Sequence, residues 1–94
     1  SVKNSNGNIG NIILTSTSAT MKFFKLYNKA SAPTVGTDVP VAIIGIPPTN
    51  SVSINMGQGL RLSTGIAYAI TGAVAVSDTT AVALNDVAVH IDYV

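Results

Sequence analysis

Two short stretches of this chain alternate bulky apolar residues with small or polar ones, and nowhere do apolar residues recur at helical spacing for more than two turns. In Ser51–Met56, Val52, Ile54 and Met56 share one side, and Ser51, Ser53 and Asn55 share the other. In Val87–Val94, the inward set is Val87, Val89, Ile91 and Tyr93, and the outward set is Ala88, His90 and Asp92. Successive side chains on a strand point to opposite faces, so this pattern suits a half-buried strand and gives a helix no apolar stripe to bury. The constraint places the chain in the all-β class, with little or no helix.

Other segments fill in the pattern. Ile12–Thr17 is short and rich in β-branched residues, which favour strands. Met21–Asn28 sets Phe24 and Leu26 on one side and Met21, Phe23 and Tyr27 on the other, with Lys25 among the latter. Both faces carry apolar bulk, as in a central strand whose second face meets another surface. Val41–Pro47 is a further strand, in which Gly45 marks a bulge or a close backbone approach. Gly57-Gln58-Gly59 reads as a turn before a short strand at Leu60–Leu62. In "TGIAYAITG", Thr64–Gly72, the residues Ile66, Tyr68 and Ile70 share a face, with the Tyr68 ring buried and its hydroxyl satisfied locally. Ser77 or Asp78 can cap at most one helical turn in the loop that follows. The sum is about seven short strands, mostly antiparallel, in a two-sheet β-sandwich of jelly-roll or Ig-like kind. Residues 1–8 form a polar N-terminal arm or edge strand, and 9–94 a single β-sandwich domain.

Chemistry is sparse. Of 94 residues only 10% are charged, against about a quarter in ordinary domains. The net charge is +1, and the four lysines and one arginine are scattered, which argues against nucleic-acid binding. No apolar run reaches the roughly 20 residues of a membrane-spanning helix. There is no cysteine for a disulfide or thiolate metal site, and Asp38, Asp78, Asp86 and Asp92 follow no calcium-loop spacing. His90 is the single histidine, two residues from Asp92, but no G-x-S-x-G nucleophile turn accompanies it. There is no glutamate, and the aspartates do not form the carboxylate pair of a glycosidase. The expectation is a protein that is not an enzyme and needs no metal or cofactor.

The segments "KFFKLYNKASAPTVGTDVPV", "STGIAYAITG" and "SDTTAV", here including Leu26–Ala30, Ala32–Asp38, Ser63–Gly72 and Ser77–Val82, taken together resemble small structural β-domain proteins of tailed bacteriophages. The resemblance runs from about Ile9 to near the end of the chain, and residues 1–8 match it less well. It implies a virion component, most simply a capsid decoration (cement) protein. Such a protein binds the major capsid protein and other virion proteins, as a homo-oligomer or as lattice-bound copies, and stabilises the head from the capsid surface. The alternative is a tail, fibre or baseplate module that binds host surface glycan or protein. The candidate contacts are Val2, Lys3 and Ile9 in and beside the arm, and Asn28, Lys29 and Asp38 in the long polar connection.

Overall fold

A computed structural model of the chain describes residues 2–80, 82 and 86–94. Among these are six strands and no helix: β1 (Gly7–Ser16), β2 (Lys22–Tyr27), β3 (Ala42–Ile46), β4 (Ser51–Leu62), β5 (Ala67–Thr71) and β6 (Val87–Tyr93). They pair into two antiparallel three-stranded sheets, ordered β4-β1-β6 and β3-β2-β5. The count falls one short of the seven expected from the sequence, because Gly57-Gln58-Gly59 does not reverse the chain. Gly57 and Gly59 do adopt positive φ, 64° and 105°. They use that freedom to bulge outward while β4 continues, so that Ile9 pairs with Leu60 and Asn11 with Asn55.

Gly10 lies opposite this bulge, and its effect reaches the other neighbour of β1. On the β6 side Ile9 faces Tyr93 and Asn11 faces Asp92, which leaves Gly10 as one extra residue. A single extra residue switches the phase of a strand. Ile9 therefore points inward together with Ile12 and Leu14, although strict alternation would set Ile9 opposite them. The shift also explains why the strand that begins at Ile12 by pattern begins at Gly7 in the structure.

One buried apolar cluster takes side chains from both sheets: Ile9, Ile12 and Leu14 of β1, Leu62 of β4, Phe24 and Leu26 of β2, Ile46 of β3, and Ile66 just before β5. Tyr68 sits at its margin. Its ring stacks on Phe24 with centroids 5.3 Å apart, but 36% of the residue is exposed, so it is not the buried tyrosine that the pattern implied. Tyr93 is exposed as well, beyond the bulge that shifts the register between β1 and β6.

β2 is central in its sheet, and its second face is covered by the chain itself. Lys25, at the middle of that face, is wholly buried. Its ammonium donates to the carbonyl oxygens of Ala75 at 2.7 Å and Asp78 at 3.3 Å, which satisfies the charge with backbone dipoles of the loop after β5. Asp78 closes that loop and does not cap a helix. Its carboxylate accepts from the Thr80 hydroxyl at 2.8 Å and from the backbone N–H groups of Ala73 and Thr80. The Thr80 hydroxyl bond leads these contacts in holding its pKa below the ordinary value. The remainder of the expected helical turn, at 81 and 83–85, lies outside the described residues.

Candidate functional site

The polar connection that leaves β2 folds back on itself at one end of the sheets. Pro33 and Gly36 interrupt any strand there, and Gly36 takes φ 91°. The N–H groups of Thr37 and Asp38 both donate to the Thr34 carbonyl, at 3.1 and 2.9 Å. Asp38 returns the contact: its Oδ2 accepts from the Thr34 N–H at 2.8 Å and from the Lys29 ammonium at 2.6 Å. The Lys29 bond, and after it the Thr34 N–H, hold the Asp38 carboxyl below the usual carboxylate range. Asn28 ties the base of the connection to the turn before β5. Its Oδ1 accepts from the N–H groups of Thr64 and Gly65, at 2.8 and 3.3 Å, and its Nδ2 donates to the Ser63 hydroxyl at 3.0 Å.

A cavity of about 120 Å³ opens between these groups, lined by Tyr27, Asn28, Lys29, Asp38 and Val39. Tyr27 is 1% exposed, and its hydroxyl has no hydrogen-bond partner among the described residues. Burial raises the pKa of this phenol, and the nearby negative charge of Asp38 adds to the effect. Val39, at the rim, is 76% exposed.

The N-terminal residues reach the same end. Val2 and Lys3 both donate their N–H groups to the Ile66 carbonyl, at 2.7 and 3.1 Å, and the Ile66 N–H donates to the Lys3 carbonyl at 2.9 Å. Val2 also packs against the buried cluster. Gly65 is the meeting point. A Cβ built on it would lie 2.6 Å from the Lys29 carbonyl oxygen and 2.7 Å from that of Lys3. The structure thus gathers Val2, Lys3, Asn28, Lys29 and Asp38 around one turn. Ile9 is elsewhere: its side chain is fully buried in the core, which leaves it no surface with which to touch a partner.

Sequence reasoning did not single out Tyr27 or Val39 as lining residues, nor Gly65 as the junction. Tyr27 follows a strand pattern that accounts for its ring and says nothing of its hydroxyl, and the reach of Gly65 depends on segments far away in sequence. The pair His90–Asp92 does form, Nε2 to Oδ1 at 2.8 Å, with both side chains mostly exposed on the outward face of β6. Among the described residues no group of three or more His, Cys, Asp or Glu side chains is placed to hold a metal ion, and no helix is long and apolar enough to cross a membrane. Comparison with protein-family models, with curated proteins and with solved structures found no match.

Proposed function

We propose that this chain is a non-catalytic assembly module of a bacteriophage particle, a capsid decoration protein that binds the major capsid protein and stabilises the head. The observation that carries the reading is the convergence of the N-terminal residues and the Asn28–Asp38 connection on one end of the fold, beside the exposed Val39 and Val41. An apolar centre with a polar rim is the usual anatomy of a protein interface. The low charge of the chain is in keeping with a surface that works next to a neighbour. Many copies on a repeating shell add modest contacts by multivalency.

The same proposal takes the two sheets as packed face to face in a sandwich. Both sheets contribute to one buried cluster. The shortest dimension, 19 Å, is what two layers about 10 Å apart give once their outer side chains are included. The reading is tested by co-sedimentation of the purified chain with heads assembled without it. The wild-type chain is expected to pellet with heads, and Val39→Asp to stay in the supernatant while retaining its thermal stability, since Val39 is exposed. A wild-type chain that never pellets with heads would overturn the proposal.

A further inference from the structure

We propose that the open edge of β6 docks onto β6 of a second copy of this chain, the two strands pairing antiparallel about a two-fold axis at Ile91. β6 lies last in its sheet and pairs with β1 alone. Asn8 and Val94 exchange both backbone bonds at 3.0 Å, and the Thr17 N–H donates to the Asp86 carbonyl at 2.8 Å. Along a strand, backbone groups turn to alternate sides. The even-numbered residues from Asp86 to Val94 therefore turn theirs to β1, and Val87, Val89, Ile91 and Tyr93 turn theirs to the open edge. Nothing among the described residues pairs with them there. Such a row of free N–H and C=O groups is a template for one more strand.

The other edges are blunted. β3 and β5 are five residues long, and β3 contains Gly45 and lies between Pro40 and Pro47. β4 is interrupted by the bulge at Gly57 and Gly59. β6 runs for seven residues without the proline, lysine or bulge that protects an edge.

The order of side chains selects a second copy as the occupant. With Ile91 opposite Ile91 of the other copy, His90 faces Asp92 and Asp92 faces His90. Both fall at non-hydrogen-bonded pairs, where side chains come closest and Cα atoms stand about 4.5 Å apart. Within one chain the two already bond at 2.8 Å with both side chains mostly exposed, so the four groups form a ring of alternating donor and acceptor across the axis. The exposed Tyr93 meets Val89, an aromatic and β-branched pair that favours strand association, and the exposed Val94 meets Ala88. Moving the axis to His90 or Asp92 sets like side chains together, and moving it to Val89 sets Asp92 against Asp86. The pairing spans 88–94 and leaves the residues before Ala88 outside it. The inference does not rest on binding to heads.

The test is sedimentation velocity of the purified full chain, without heads, at concentrations up to about 1 mM, the weak limit for a small transient interface. The wild-type chain is expected to form a reversible dimer. Tyr93→Pro removes an N–H that faces the open edge and puts a ring there, a place where an edge strand tolerates proline. It is expected to remain monomeric and to keep its thermal stability, because Tyr93 is exposed. A His90→Asp chain carries carboxylates at both facing positions, and a His90→Lys/Asp92→Lys chain carries ammonium groups at both. Each alone should dimerise about tenfold more weakly than wild type, and the two mixed should recover the association. Three results would each overturn the inference: a wild-type chain monomeric throughout, a dimer that persists in a folded Tyr93→Pro, or a mixture of the two charge variants that associates no better than either alone. None of them bears on co-sedimentation with heads, so the two proposals fail separately.

Discussion

Gly65 is the most constrained glycine in the fold, and Gly65→Ala is the sharpest probe of how its ends are joined. The new Cβ would lie 2.6 Å from the Lys29 carbonyl oxygen, 2.7 Å from the Ala30 Cα and 2.7 Å from the Lys3 carbonyl oxygen. All three are backbone atoms, so no flexible side chain can swing aside. Overpacking of this kind costs about 1–3 kcal/mol. Shifting the turn also strains the two N–H bonds to Asn28, each worth about 0.5–1.5 kcal/mol. The expected loss is about 2–4 kcal/mol, a large part of the roughly 5–14 kcal/mol a chain of this length commands. In a thermal melt that corresponds to a fall of roughly 10–30 °C. Gly57→Ala is the comparison, because nothing lies within 4 Å of its Cβ and only its φ of 64° is unfavourable. That substitution should cost about 1–2 kcal/mol. If Gly65→Ala melts within the error of wild type, or higher than Gly57→Ala, the packing of Lys3, Lys29 and Gly65 described above is wrong.

Two further outcomes follow from the buried and partnered charges. Lys25 should resist amine acylation while Lys3 and Lys22 react, as read by peptide mass spectrometry. Asp78→Ala, which opens the loop over Lys25, should bring it to the rate of the others; a Lys25 that reacts at once in the wild type would contradict its burial. Asp38 and Asp78 have folded pKa values below their unfolded ones, so their stabilisation is complete above the ordinary carboxylate value and is lost as pH falls through the folded values. Tyr27 is shifted upward, so its contribution is complete below the ordinary phenol value and is lost as pH rises through the folded one. Denaturant melts across pH should therefore show a shallower acid limb in Asp38→Asn and a shallower alkaline limb in Tyr27→Phe; limbs identical to wild type would refute these assignments.

Period-two patterning carried much of the fold because burial in a sheet is written in alternation. Val52, Ile54 and Met56 do turn inward from β4 while Ser51, Ser53 and Asn55 stay exposed, and Ala88, His90 and Asp92 face out on β6. In two of the places where the pattern misled, a glycine was responsible. Gly10 inserts one residue and inverts the phase, so Ile9 joins the core and cannot act at the surface. Gly57 and Gly59 look like a hairpin turn but form a bulge, because β1 remains paired on both sides of them. The second apolar face of β2 was visible in the residues, but its cover was not: the loop that reaches Lys25 does so about fifty positions away, through backbone carbonyls that no side-chain pattern encodes. The polar residues Asn28, Lys29 and Asp38 could be picked out by type. The cavity between them depends on where the Tyr27 hydroxyl ends up once its ring is packed, and that is a tertiary fact.

The measurement that tests the account most directly is cryo-electron microscopy of particles produced from the genome that encodes this chain. The account predicts density for the six-stranded fold at regular symmetry positions on the capsid shell, with the end bearing Val2, Lys3 and the Asn28–Asp38 connection turned toward the major capsid protein. Density confined to the tail or fibres, or particles that lack the chain altogether, would contradict it.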